Sequence, residues 1–153
     1  FAVSEVFHKF LRQNFDLTHN ALNEILICVD EMVYNAYIHG TLGLNVQERV
    51  MDHNALQKII NERLQQPEIA SKRICFHFSI CHKTQTIKIT VEDDGPGFDY
   101  ETWIKKVTNE HKLNLEENGR GIAMLYHLSD KLEFDREGRT VTISKKLPVN
   151  NKK

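Results

Sequence analysis

The sequence predicts an α+β protein, in which helices cover one face of a mixed, mainly antiparallel sheet to give a two-layer sandwich. Helix-like segments cluster before residue 67, whereas residues 73–82 and 87–91 alternate strictly between apolar and polar side chains. A short turn joins the two alternating segments, as in a hairpin. This order of helices, hairpin, helices and hairpin differs from the single strands alternating with helices of a doubly wound fold.

Length and charge restrict the possible classes of protein. The 153 residues fit a single domain over residues 1–153. The chain carries 20 basic and 21 acidic residues, giving a formal net charge of -1, so we expect neither nucleic acid nor an anionic membrane as a partner.

The longest apolar runs of the chain are far shorter than a membrane span, and its three cysteines are an odd number, which does not fit a full set of disulfides. We therefore expect a cytoplasmic location. Because the chain starts with Phe1 rather than Met, we expect a domain excised from a longer protein.

Periodicity predicts three helices in the first half of the chain. Residues 4–15 form a short amphipathic helix, and a longer helix follows, capped by Thr18 or Asn20. We expect that helix to end at Gly40, because glycine favours the left-handed turn that follows many helices. A third helix is expected to start at Asn45 and to run to the stop at Pro67. It makes up most of the segment over residues 41–72.

The elements predicted for the second half of the chain are shorter. Residues 83–85 are typical of a hairpin turn between the two alternating segments. A short helix is expected over residues 100–107, a polar stretch up to residue 118 and a further helix over residues 121–128. The chain then closes with a hairpin that turns at residues 136–138.

Glu31, Asn35 and His39 follow one another at intervals of four residues on the long helix, so they form one polar stripe. In this arrangement Glu31 could accept a proton from an attacking hydroxyl, while the Asn35 oxygen could ligate Mg²⁺. The alternative is a solvated helix face.

Two glycine-containing segments have both a structural and a functional interpretation. Asp93 to Phe98 (DDGPGF) is either a tight turn or a place where backbone approaches a ligand, with Asp93 accepting a hydrogen bond from an amino group. Asn118 to Gly121 (NGRG) precedes a helix-like run, where backbone N–H groups and the Arg120 side chain could bind phosphate.

Other candidate sites have ordinary explanations. Cys75, His77 and Cys81 share one face of a predicted strand, but strand spacing spreads them and favours a structural role over zinc. Trp103 stands alone and does not form a nucleic-acid platform, and the Lys105–Lys106 and Lys152–Lys153 pairs are typical of solvated charge.

Taken in this order, the motifs resemble the GHKL superfamily of gyrase-type, chaperone, histidine-kinase and mismatch-repair ATPases. Residues 31–36 (EMVYNA) are similar to its N box, Asp93-x-Gly95-x-Gly97 to its first glycine box and Gly119-x-Gly121 to its second. Residues 138–141 (GRTV) are similar to its closing strand. Within the superfamily, Glu31-x-x-x-Asn35-Ala36-x-x-His39 most resembles the anti-sigma-factor serine kinases.

This resemblance implies a Bergerat-type ATP-binding fold and a role for each motif residue. Asp93 would bind the adenine amino group with Thr140 nearby, Asn35 would hold Mg²⁺, and Glu31 would be the base towards a serine hydroxyl. The remaining nucleotide-binding residues that the resemblance implies are His39, Gly95, Gly97, Gly119, Arg120 and Gly121.

The resemblance also implies partners. A kinase of this kind phosphorylates an anti-anti-sigma protein of the STAS type, can sequester a sigma factor and can form a homodimer. The insertion over residues 41–72 is similar to versions fused to receiver or serine phosphatase domains. The alternative is a nucleotide-binding module that binds its partner without phosphotransfer.

Overall fold

The structure, a computed structural model, describes residues 2–49, 51–109 and 117–148. Its helices are α1 (Ala2–Asn14), α2 (His19–Asn35), α3 (Val46–Arg49), α4 (His53–Leu64), α5 (Pro67–Ala70), α6 (Tyr100–Asn109) and α7 (Glu117–Leu128). Its strands are β1 (Ile74–Cys81), β2 (Thr86–Asp93), β3 (Lys131–Asp135) and β4 (Thr140–Lys146). A π-helical turn, Ala36–Thr41, continues α2, and a 3₁₀ turn, Arg136–Gly138, joins β3 to β4.

The strands form one sheet in the order β1-β2-β4-β3, and every pairing among the described residues is antiparallel. This confirms the two-layer α+β prediction, although no parallel pair is found in the part of the chain described. Both predicted hairpins are present, and residues 83–85 lie in the turn between β1 and β2.

The main core lies between the sheet and the first two helices. The side chains of β2 that face the helices, Ile87, Ile89 and Val91, are completely or almost completely buried. They pack in one cluster with residues of α1 and α2. The helix-facing residues of this cluster include Phe7, Leu11, Ile25, Cys28, Val29 and Met32. Helix α2 is therefore fixed along its length against the strand that ends at Asp93.

Helix α2 begins where the sequence predicts. Thr18 is its N-cap, and its side-chain oxygen accepts a hydrogen bond from the Ala21 N–H. Its end differs from the prediction, because the helix continues as the π-helical turn up to Thr41. Gly40 lies inside that turn and does not have the left-handed backbone that the sequence indicated.

The insertion also differs from the prediction of one continuous helix. The expected capping box is present, since Asn45 and Glu48 exchange backbone-to-side-chain hydrogen bonds of 3.0 and 2.8 Å. However, a new helix starts after Asp52, whose carboxylate caps it at Ala55, and Pro67 starts the short helix α5 instead of only ending α4. Val50, which the prediction included, lies outside the described residues.

One arginine ties the insertion to the end of the π-helical turn. Arg63 of α4 donates to the Leu42 carbonyl at 2.8 Å and forms an ion pair of 2.7 Å with Glu48. Around it, Ile38, Leu42 and Leu44 are buried in a second apolar cluster with residues of α4 and α5. The insertion thus supports the turn that carries His39 and Gly40.

No helix among the described residues is long and apolar enough to cross a membrane. The polar stretch expected before residue 118 falls largely on residues 110–116, which are outside the described part of the chain, as are Lys152 and Lys153.

Candidate functional site

A cavity of about 320 Å³ opens between α2 with its π-helical turn, the ends of β2 and β4, and α7. Its size is at the lower end of the range for small-molecule sites. Most of its lining is apolar, and Asn35, His39 and Asp93 contribute polar side chains to it. The apolar lining residues include Met32, Val91, Phe98, Trp103, Ile122, Leu125, Phe134 and Val141. Such a lining suits a largely apolar small molecule that carries a few polar groups.

Asp93, the last residue of β2, is the acidic group of this cavity. Its backbone N–H donates to the Arg139 carbonyl at 3.0 Å, and its carboxylate accepts a hydrogen bond of 2.8 Å from the Gly95 N–H. Burial raises the pKa of Asp93 above its usual value, because removal from water outweighs the stabilising Gly95 hydrogen bond and the nearby Arg139 charge. An amino group of a ligand could compensate for the lost hydration.

The position of Asp93 depends on two glycines. A Cβ atom on Gly40 would lie only 2.4 Å from the Asp93 Cγ, and one on Gly95 would lie 2.4 Å from the Gly40 Cα. The π-helical turn and the loop after β2 can meet here only because neither residue has a side chain. A glycine is therefore required at position 40 for the close contact with Asp93. The sequence-based explanation, a left-handed backbone at the end of the helix, is wrong.

Gly97 fixes the same loop to the turn between β3 and β4. Its φ is +77°, and an added Cβ would lie 2.2 Å from the Glu137 carbonyl oxygen. The following N–H, that of Phe98, donates to this oxygen at 2.9 Å. The first glycine motif is thus held to the turn between β3 and β4, with Gly97 and Phe98 lining the cavity.

Arg139 is a residue of the site that the sequence reasoning missed. Its Nε donates to the Gly95 carbonyl at 2.7 Å, while its backbone carbonyl accepts from Asp93. It therefore holds the first glycine motif from both its main chain and its side chain. The sequence signal available was its place between Gly138 and Thr140 in the GRTV segment.

Thr140 is not among the residues that line the cavity. Val141, which follows it on β4, lines the cavity, and alternate strand residues point to opposite faces. Thr140 consequently lies on the face of the sheet opposite the cavity, together with Thr142, whose hydroxyl hydrogen-bonds to that of Thr90. The Thr140 hydroxyl is buried without a hydrogen-bond partner among the described residues. The structure does not bring it together with Asp93 in the cavity.

The other end of the site is formed by Glu31 and Asn35 on α2. Gly121 of α7 packs directly on them, since an added Cβ would lie 2.2 Å from the Glu31 Oε1 and 3.2 Å from the Asn35 Nδ2. Burial, and secondarily the charge of Asp30, raises the pKa of Glu31 above its usual value. A half-buried carboxylate with a raised pKa is a good candidate for a proton acceptor.

The second glycine motif lies in a different setting from the predicted one. The sequence predicted a helix over residues 121–128 with Gly119 and Arg120 ahead of it, but α7 already starts at Glu117 and includes both residues. Free N–H groups at the N-terminus of this helix therefore belong to its first turn, ahead of Gly121. Arg120 is exposed and does not line the cavity, whereas Gly121 is buried against α2.

Cys75, His77 and Cys81 are exposed along β1, as the alternation predicts. In the described ranges, no three histidine, cysteine or acidic side chains lie close enough to share a metal ion.

The cavity thus holds one acidic group, Asp93, and a second, Glu31, lies on the helix that borders it. The model of the histidine kinase-like ATPase domain family matches residues 2–145. The chain therefore belongs to this family, and membership indicates that it binds ATP. No curated protein and no solved structure matches the chain.

Substituting Gly40→Ala is expected to impair nucleotide binding, because the new methyl group must displace the Asp93 carboxylate. We expect a loss of stability of roughly 1–3 kcal/mol, typical of overpacking, and a loss of ATP affinity of at least about tenfold. Isothermal titration calorimetry and urea unfolding measure the two effects.

The matched control is Gly43→Ala. Gly43 has a φ of +61°, but no atom lies within 4 Å of its added Cβ. This variant should lose about 1 kcal/mol of stability through its backbone conformation and retain its ATP affinity. If Gly40→Ala bound ATP as tightly as the wild type, the close contact between Gly40 and Asp93 would not be required for nucleotide binding.

Substituting Glu31→Gln is expected to raise the unfolding midpoint of the ligand-free protein at neutral pH. The folded state favours protonated Glu31, so the contribution of this carboxyl group to stability decreases as the pH rises through its raised pKa. At a pH below the ordinary glutamate value of about 4.3 both side chains are neutral, and the difference should vanish. The midpoints of thermal unfolding across this pH range, with exposed Glu62→Gln as the control, measure the effect; a gain that is independent of pH would exclude this explanation.

Proposed function

We propose that the protein is a Mg-ATP-dependent serine/threonine kinase of the anti-sigma-factor type. Its substrate would be a serine on an anti-anti-sigma protein of the STAS type, in a partner-switching pathway that can include a sigma factor. The observation that carries the proposal is that Asp93 and Asn35 line one cavity, with Glu31, which does not line it, on the same helix as Asn35. Asp93 faces the interior of the cavity, while Glu31 lies one helical turn from Asn35 at its edge.

Adenine fits the Asp93 end of the cavity. The ionised carboxylate accepts hydrogen bonds, the adenine amino group donates them, and the surrounding walls are mainly apolar. Gly97 and Phe98 provide a loop wall that is held to Glu137 by the Phe98 hydrogen bond. These features support ATP as the ligand of this cavity.

Asn35 and Glu31 are the groups suited to the phosphate end. The Asn35 carbonyl oxygen is a hard ligand of the kind that Mg²⁺ accepts, and a bound Mg²⁺ neutralises phosphate charge. Glu31 takes the proton from the attacking serine hydroxyl as that oxygen bonds to the γ-phosphorus. The bond from the γ-phosphorus to its bridging oxygen breaks, and ADP leaves.

A second candidate function is nucleotide-dependent binding of a partner without phosphotransfer. It is favoured by the close packing of Gly121 on Glu31, which covers the carboxylate that would have to meet a serine hydroxyl. In that case ATP and ADP would stabilise different arrangements of α7, and the partner would recognise one of them.

The first test is calorimetric titration of the chain with ATP and ADP in Mg²⁺. We expect saturable binding that Asp93→Asn weakens by about 10–100-fold, because it removes a hydrogen bond to a charged acceptor. Asp94→Asn is the matched control, since the Asp94 carboxylate accepts from the Arg73 N–H and does not line the cavity. A folded wild type that binds no nucleotide would contradict both candidates.

The second arm separates the two candidates by phosphotransfer from labelled ATP to purified STAS-domain proteins. A kinase loses phosphotransfer in Glu31→Gln while retaining ATP affinity, and Glu62→Gln leaves both unchanged. Phosphorylation by Glu31→Gln at the wild-type rate would exclude Glu31 as the base. ATP-dependent complex formation without phosphorylation would support the binding module.

A further inference from the structure

Three aromatic side chains line the same cavity as Asp93. Phe98 follows the first glycine motif, Trp103 lies on α6 and Phe134 lies on β3. Phe98 and Phe134 meet edge to face, with their ring centroids 5.5 Å apart. The ring of Tyr100 stacks on Phe134 at a centroid distance of 5.3 Å and so supports it. We call Phe98, Trp103 and Phe134 the aromatic wall.

Trp103 is the only tryptophan of the chain, and two contacts hold its side chain. It packs at the edge of the apolar cluster that joins α6 to α7, in which Val107 and Ile122 are buried. The ammonium group of Lys106, three residues later on the same helix, lies over the indole at 4.6 Å from the ring centroid. Such a cation–π contact favours one orientation of the ring. The indole is therefore oriented by its own helix, yet it is only partly buried and lines the cavity.

The carboxylate of Asp93 does not by itself select one nucleotide. It accepts a hydrogen bond from an amino group, and adenine, guanine and cytosine each carry an exocyclic amino group. These bases differ in the size of the ring system, because the two purines have two fused rings and cytosine has one. Selection between them therefore needs a contact with the body of the ring, and the aromatic wall lines the same cavity of about 320 Å³ as Asp93.

We propose that Trp103 determines the base specificity of this site, through a ring contact that favours purine over pyrimidine nucleotides. In the proposed function, on which this assignment rests, Asp93 binds the adenine amino group while Trp103 contacts the body of the ring. Every base has a π face, so this contact requires no particular hydrogen-bonding pattern. A fused ring system buries more area against the indole than a single ring does, so adenine is stabilised more than cytosine.

The first test is the fluorescence of Trp103 during titration with ATP or with inorganic triphosphate, both in Mg²⁺. Because the chain has one tryptophan, the indole emission reports on this position alone. We expect a saturable change with ATP that follows the calorimetric binding curve, and no change with triphosphate, which has no base. Unchanged emission while calorimetry shows ATP binding, or an equal change with triphosphate, would overturn the role of Trp103 and leave the nucleotide site standing. A folded wild type that binds no ATP would contradict the proposed function and this assignment together.

The second test compares the affinities for ATP and CTP in the wild type and in Trp103→Leu by calorimetry. The wild type should prefer ATP. Loss of the base–aromatic contact should weaken ATP binding by about 10–100-fold and CTP binding by less, so the ratio of the two affinities falls. Trp103→Phe retains an aromatic ring and should keep part of the preference. Equal wild-type affinities for ATP and CTP, or an unchanged ratio in Trp103→Leu, would overturn the proposal.

The matched control for lost packing is Ile104→Ala. Ile104 is the neighbour of Trp103 on α6 and packs against the same cluster, but it lies outside the set of described residues that line the cavity. This variant should unfold at a lower urea concentration and should keep the wild-type ratio of ATP to CTP affinity. If Ile104→Ala reduced the ratio as much as Trp103→Leu does, the effect would come from the packing of α6 and the assignment to Trp103 would be wrong.

Discussion

The close contact between the π-helical turn and the end of β2 is the constraint on which the rest of the site depends. Gly40, Asp93 and Gly95 meet at distances that leave no space for a Cβ on either glycine. This contact aligns the helix that carries Glu31 and Asn35 with the strand that carries Asp93. Because closely packed interiors transmit small displacements, a shift at this point would move both ends of the site.

Local signals in the sequence were sufficient for much of the fold. Strict alternation predicted β1 and β2, and side-chain chemistry predicted the Thr18 cap and the capping box at Asn45. These features depend on neighbours within four residues or on a period of two. The position of Asp93 at the end of a strand followed from the same alternation, which is why the acidic end of the site could be found.

Features that depend on contacts across the molecule were not predictable in this way. Gly40 fits a helix stop in the sequence, but its function is defined by Asp93, more than 50 residues away. Arg139 directly precedes Thr140 in the sequence, and no local pattern distinguishes their roles. Only the structure, in which β4 starts at Thr140, shows that the Arg139 side chain bonds to the Gly95 carbonyl and holds that loop. Likewise, the sequence suggested that Gly121 belongs to a phosphate-binding loop. Because α7 starts at Glu117, Gly121 instead lies within the helix and contacts Glu31.

The two carboxylates of the site are stabilised to different degrees. Burial raises the pKa of both, and a neighbouring acid raises each further, Asp94 for Asp93 and Asp30 for Glu31; only Asp93 also receives a hydrogen bond from Gly95 and the field of Arg139. A carboxylate held by its own loop is suited to binding a ligand without changing its protonation. A carboxylate that receives little stabilisation from neighbouring protein groups is stabilised more when it accepts a proton. Accepting a proton is the task of a base. This electrostatic difference supports the proposed roles of Asp93 in binding and of Glu31 in proton transfer.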